Sequence, residues 1–296
     1  MEQTLFLGAP FSGGQPHPGV SMAPNEFRKH HPDIFSGGEW RDMGDVVGPG
    51  LSFACAMEHA HLIAEKVESL PLKKNFFAAL GGDHGMALGT VHGLLHHHPD
   101  LLVIWIDAHA DANVPSSSPS GNMHGMPLAW LLGAKEGAPA WMKHHLHPRR
   151  LIYVGVRDVD PYEQMLLEEW DIAWIKPADF ARESGRLLIE KELRRLDPHR
   201  TSKIHISLDV DALDAGVTQA TGTQAYDGLS FDQIEDVITA ISETRQVVSM
   251  EAVEVNPKLG TQAEVDHLFN WVKNLFLKVT PNKKRGLTQE TPHSSI

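Results

Sequence analysis

The chain has 296 residues, 42% of them hydrophobic and 22% charged, with a formal net charge of −12. That length allows two domains or one large α/β domain, and the composition excludes disorder and a coiled coil. The acidic balance argues against a nucleic-acid partner and suits a small cationic substrate or bound metal cations.

Short apolar runs alternate with amphipathic stretches along the chain. Strands are predicted over residues 5–7, 76–80, 101–106, 151–156, 172–175, 204–208 and 247–255. Most runs are continuous rather than alternating, as in parallel strands covered on both faces. Helical spacing of Phe53, Ala56, Ala60, Ile63 and Val67 marks one intervening helix. Ser230 with Gln233, and Thr261 with Glu264, form capping boxes ahead of two more. The alternation predicts an α/β fold: a three-layer, doubly wound parallel β-sheet flanked by helices, in a single domain over residues 1–279. Residues 114–121, rich in Ser and Pro, read as a loop within that domain. From about Thr280 periodicity is lost, and residues 280–296 are expected to form a mobile or partner-docked tail. There is no internal repeat.

Cys55 is the sole cysteine, which excludes a disulfide framework and a cysteine-based zinc site. The opening Met1-Glu2-Gln3-Thr4 has no basic leader, and no apolar run approaches about 18 residues, so a cytoplasmic protein without membrane contact is expected. Nineteen histidines are unusual. Two bunches, His96-His97-His98 and His144-His145-Leu146-His147, read as polar helix ends or loops rather than as a metal site. His199, His205 and His293 receive no role.

In open α/β sheets the site lies beyond the carboxyl ends of the strands. Here those ends carry Gly81-Gly82-Asp83-His84, Asp107-Ala108-His109-Ala110-Asp111 and Asp209-Val210-Asp211. The run 247–255 adds Glu251 and Glu254. Four clustered, buried Asp carboxylates would repel one another unless cations compensate them. Carboxylates with a little imidazole suit Mn²⁺ or Mg²⁺, and four acids with His84 and His109 exceed the needs of one ion. A two-metal site with bridging Asp is expected, able to activate a water near neutral pH.

These motifs, with Gly8-Ala9-Pro10-Phe11-Ser12-x-Gly14-Gln15-Pro16, resemble the arginases of the ureohydrolase family over residues 5 to 276. The resemblance implies two Mn²⁺ per chain that hydrolyse a guanidinium group to urea. His84, Asp107, Asp111 and Asp209 would hold one ion, and Asp107, His109, Asp209 and Asp211 the other. Gly121-Asn122-Met123-His124-Gly125-Met126-Pro127 resembles the arginase form of its segment, with His124 as proton shuttle. Arg157-Asp158-Val159-Asp160-Pro161-x-Glu163 implies Asp160 and Glu163 for the substrate α-amino group. Asn113, Ser120 and Asn122 match positions reading the α-carboxylate and amino end. Glu254 matches the acid that pairs with the guanidinium, and Thr223 a position near the site. A homotrimer or homohexamer is also implied.

Three departures stand out. Gly85 replaces the more usual Ser, which bears on how His84 is held. Ala215, followed by Gly216, replaces the usual Pro, and residues 32–52 look short against animal arginases. The first functional expectation is conversion of L-arginine to L-ornithine and urea. Its rival is an agmatinase or guanidinobutyrase acting on another guanidino compound. A single-metal deacetylase is disfavoured by His84 and Asp211 as additional ligands. A catalytically dead arginine-binding protein is disfavoured by the intact ligands, His124 and Glu254.

Overall fold

The computed structural model describes residues 3–281. Its eight strands are β1 (Thr4–Ala9), β2 (Trp40–Asp45), β3 (Phe76–Gly81), β4 (Leu102–Ile106), β5 (Leu151–Val154), β6 (Ala173–Ile175), β7 (Ile204–Asp209) and β8 (Val247–Val253). They form one sheet in the order β2-β1-β3-β8-β7-β4-β5-β6, and every pairing is parallel. The helices are α1 (Ala23–His30), α2 (Pro32–Ser36), α3 (Phe53–Ser69), α4 (Ala87–His97), α5 (Pro127–Leu131), α6 (Pro161–Glu169), α7 (Gly185–Leu196), α8 (Phe231–Glu243) and α9 (Gln262–Val279).

Strand parity divides the core in two. Phe6, Ala78, Ile104, Ile152, Ile206 and Met250 meet side chains from α1, α7, α8 and α9 on one face. Leu7, Phe77, Val103, Trp105 and Tyr153 meet α3, α4, α5 and α6 on the other. The expected three layers are thus present. Both capping boxes form: the Ser230 side chain accepts from Gln233, and that of Thr261 from Glu264.

Strand β2 was not among the predicted strands, and the reason is physical. Its sequence Trp-Arg-Asp-Met-Gly-Asp buries only Trp40, because it is an edge strand. The Arg28 guanidinium of α1 grips it, donating to Asp42 at 2.7 and 3.0 Å and to Asp45 at 2.6 Å. Residues 32–52 therefore hold a helix and a strand despite their brevity. At Ala215 the backbone N–H donates to Ala225 O at 3.1 Å, a bond that proline could not make. The tail expected from Thr280 lies outside the described residues from Asn282 onward, as does His293.

Candidate metal centre and substrate cleft

Four adjacent strands, β3, β8, β7 and β4, end on the same side of the sheet and present Glu254 and the six residues expected as ligands. The chain turns sharply just past each strand, and the acids shape those turns themselves. Asp107 Oδ1 accepts the His109 N–H at 2.7 Å, and Asp209 Oδ1 accepts the Asp211 N–H at 2.8 Å. Asp211 Oδ1 accepts the Ala108 N–H at 3.2 Å, tying the two ligand turns together. Asp111 and Glu254 lie at φ of 50° and 64°, in the left-handed region that side chains seldom adopt. Such backbone strain tends to be kept where it aims a functional group.

The buried His84 ring is the centre of the cluster. Its Nδ1 makes no hydrogen bond, yet it faces Asp107 Oδ2 at 2.9 Å, Asp111 Oδ2 at 3.1 Å and Asp209 Oδ2 at 3.3 Å. His109 Nδ1 lies 3.1 Å from Asp211 Oδ2 and 3.5 Å from Asp107 Oδ1. The potential ligand atoms form two overlapping groups, His84–Asp107–Asp111 and Asp107–His109–Asp211. Asp107 is common to both.

Electrostatics point the same way. Burial, then Asp211 and Asp107, push the Asp209 carboxyl well above its usual range. Asp111 is pushed up to about 6 by burial and by Asp107. Burial alone would lower the imidazole pKa of His84 and of His109, but the facing acids raise both well above normal. An orphaned buried nitrogen among mutually repelling acids is a donor set that fits divalent cations.

Residues outside the expected set support this centre. Trp105 stacks on the His84 ring at 4.0 Å and donates through Nε1 to Asp107 Oδ2 at 2.9 Å. Ser207 Oγ is 2.9 Å from His84 Nε2 and donates to Glu251 Oε1 at 2.8 Å. Glu251 also takes the Thr90 hydroxyl at 2.5 Å. Its role is thus beneath His84 rather than in the cleft. This arrangement fixes the ring with Nδ1 toward the acids. It also answers the question raised by Gly85, since His84 is held by Trp105 and Ser207. A Cβ at Gly85 would meet Asp83 Oδ1 and Phe11 Cε1, each at 2.9 Å.

A cleft of about 250 Å³ opens above the cluster. His109, Asp111, Asp209 and Asp211 line its floor, and His124, Asn113, Ser120, Asp160, Glu163 and Thr223 its walls. Asn122 is not part of that lining; its N–H donates to Ser120 Oγ at 3.2 Å and its carbonyl takes the Gly125 N–H. Glu163 is buried, and its two oxygens accept the Ala112 and Asp160 N–H groups at 2.9 and 3.0 Å. Its carboxylate therefore clamps the Asp111–Asn113 turn onto α6. Asn113 Nδ2 donates to Asp160 Oδ2 at 2.8 Å and so aims the Asp160 carboxylate.

Glu254 lies beside the cluster. Its Oε1 accepts the His84 N–H at 3.0 Å and sits 3.2 Å from His124 Nδ1, while Gln15 Nε2 approaches Oε2 at 3.4 Å. Although burial opposes it, Glu254 and then Asp83 and Asp111 push His124 up to about 9. Asp83 is buried and accepts the Gly14 and Gly85 N–H groups at 2.9 and 3.0 Å. Asp83 and Gln15 lie inside the Gly81–His84 and Gly8–Pro16 motifs, whose sequence alone assigns them no role. Asp83 is 0% exposed and pushed up to about 7 by burial and Glu254, so it belongs to the electrostatics of this wall.

The arginase family model matches residues 2–272, nearly all of the described chain. The chain belongs to the arginase family. It is therefore a ureohydrolase, an enzyme of a metal-dependent family. Arginase from Glaciozyma antarctica is 35% identical over 287 residues, covering 88% of this chain and 82% of that protein. The mitochondrial arginase-2 of Rattus norvegicus is also 35% identical, covering 89% of this chain and 80% of its own length. Among solved structures, the arginase of Bacillus caldovelox superposes with a TM-score of 0.85 at 28% identity, covering 96% of this chain and all of that one. Entamoeba histolytica arginase, solved with L-ornithine, superposes with a TM-score of 0.84 at 25% identity, covering 94% and 98%. No described helix is long and apolar enough to cross a membrane.

Proposed function

We propose that residues 1–279, as one domain, hydrolyse L-arginine to L-ornithine and urea with two Mn²⁺ bound per chain. His84, Asp107, Asp111 and Asp209 would hold one ion, and Asp107, His109, Asp209 and Asp211 the other. When bound, the pair supplies a water of lowered pKa as the nucleophile. The observation that carries the reading is His84 Nδ1, without a hydrogen bond and facing three carboxylates, in a chain of the arginase family.

The chain's own residues supply the rest. Glu254 presents a carboxylate that can pair with a guanidinium through parallel N–H bonds. Incoming guanidinium and His124 would then compete for Glu254 Oε1. Losing that partner lets the His124 pKa fall toward its ordinary value, where an imidazole can pass a proton to the leaving amine. At the mouth, Asp160 supplies the charge for an α-ammonium, held in aim by Asn113, while Glu163 keeps the turn beneath it in place. Ser120, Asn122 and Thr223 are assigned to the polar contacts at the substrate's amino-acid end. The ornithine complex of the Entamoeba histolytica enzyme supports that choice of substrate. A homotrimer or homohexamer in the cytoplasm is the proposed form, checked by light scattering and by cell fractionation.

The test is kcat/KM for arginine and for agmatine, which shares the guanidinium and arm but has no α-carboxylate. Each hydrogen bond to a charged partner lost at the mouth is worth about 1.5–3 kcal/mol, roughly a 10- to 150-fold preference. Arginine should therefore lead by at least that factor, while Asp160→Ala, which removes the partner of an ammonium that both compounds carry, should lower the efficiency of both. Equal hydrolysis of both compounds by the wild type would replace arginine with another guanidino substrate.

A further inference from the structure

The two histidine bunches, separate in sequence, come together in the fold. His96 stands in the last turn of α4, and His144 lies in the segment leading into β5. Glu68, from the last turn of α3, completes a group whose ligand atoms all lie within 4.8 Å of one another. The group sits at the carboxyl ends of two helices, the opposite end of α4 from His84. With 1.5 Å of rise per residue, the twelve positions between His84 and His96 span roughly 18 Å.

We infer that Glu68, His96 and His144 form a second metal site, separate from the active centre, for a borderline divalent ion of the Zn²⁺ type. Two imidazoles and one carboxylate match the ligand set such ions prefer, at bond lengths of about 2.0–2.2 Å, and leave a fourth position for water. Small side-chain rotations suffice to close the group onto one ion, because His96 is exposed and the other two half-buried. Helix carboxyl ends also favour a cation.

A second observation points into the same place. His92, one turn before His96 on α4, is 2% exposed, and its Nδ1 has no hydrogen-bond partner. Its Nε2 accepts the Lys143 and His144 N–H groups at 2.9 and 3.3 Å, so the ring proton resides on Nδ1. That Nδ1 faces Glu68 Oε1 at 3.4 Å. An imidazole N–H aimed at a carboxylate ligand is a usual outer support of a metal site, and a small shift of Glu68 on binding an ion would complete that bond. Trp141 fixes the segment, stacked on His61 at 4.9 Å and edge-on to His92 at 5.1 Å. A bound ion would staple α3, α4 and this segment.

The experiment titrates untagged, Mn²⁺-loaded full-length protein with Zn²⁺ and counts ions per chain after gel filtration. Wild type should retain one more Zn²⁺ than the His96→Ala/His144→Ala double variant, which should hydrolyse its substrate at the wild-type rate. Asp209→Ala, damaged at the catalytic cluster, should still retain that ion, as should Glu254→Gln. His92→Gln keeps an acceptor for the two N–H groups but not the donor to Glu68, and should weaken binding about 10- to 100-fold. Equal Zn²⁺ retention by wild type and the double variant overturns the site, and unchanged affinity in His92→Gln removes His92 from it.

Discussion

Asp209→Ala should abolish binding of both proposed Mn²⁺ ions and lower activity by several orders of magnitude. Asp209 Oδ2 faces His84 Nδ1, while Oδ1 holds the Asp211 N–H and so shapes the turn carrying the next ligand. Alanine removes a bridging ligand and loosens Asp211 at once. Asp211→Ala is milder, since the Asp211 carboxylate faces His109 and the Ala108 N–H and belongs to one of the two ligand groups, and should weaken mainly one ion. Thermal unfolding separates ligand loss from misfolding. Two ions at a hundredfold excess over Kd stabilise by about 5 kcal/mol, which is several degrees in Tm. Wild type should show that increment on adding Mn²⁺, and Asp209→Ala should not. In chelated protein the variant should be as stable as wild type or more so, because burial, Asp211 and Asp107 all oppose the Asp209 charge. Two-ion binding in Asp209→Ala would remove the bridge.

His124→Ala should lower kcat by about 10²- to 10⁴-fold with metal content intact, the usual range for a positioned proton carrier. Glu254→Gln tests how His124 is poised. His124 is pushed up to about 9, chiefly by Glu254 acting against burial, so removing that charge should bring the ring back toward its ordinary value. Ring-proton titration by NMR on chelated protein reads this directly. The stability sign follows. A folded pKa above the unfolded value of about 6.5 gives stabilisation that is full below that pH and fades as pH rises toward 9. Glu254→Gln should flatten that part of the curve. An unchanged His124 titration in the variant would mean that the 3.2 Å contact carries no charge coupling.

Legibility followed locality. Five of the six candidate ligands are readable because they fall two residues apart at the ends of strands whose apolar runs are plain, and His84 because it follows Gly81-Gly82-Asp83 at another such end. Trp105, Ser207 and Glu251 are not, because strands buried on both faces show no alternation and hide which residues share a side. Glu163 was read as a substrate contact because its spacing from Asp160 is that of a motif. Only the fold reveals that backbone N–H groups already occupy both its oxygens. Strand β2 carries almost no apolar signal, since its place depends on Arg28 reaching Asp42 and Asp45 from α1. Glu68, His96 and His144 come from three distant segments, so no window of sequence contains them.

Arg157 is the first residue of a motif that carries substrate residues, yet its side chain does not line the cleft. Its guanidinium donates to the carbonyls of Asp211, Ala212 and Leu213 at 3.1–3.2 Å, and to those of Gly155, Ala225 and Tyr226 at 2.8–3.2 Å. One side chain thus rivets the β7 ligand turn to the loop preceding the substrate residues. Lysine, with three donors on a point charge, cannot replace that six-way fork. Arg157→Lys should therefore lower Tm and weaken metal binding and substrate efficiency together, while Asp160→Ala should lower substrate efficiency with metal content intact. The rivet couples the seat of the metals to that of the substrate mechanically. A chain of this fold that changes its guanidino substrate can then vary Asp160, but keeps Arg157 as the rivet and Glu163 as the clamp on the Asp111 turn.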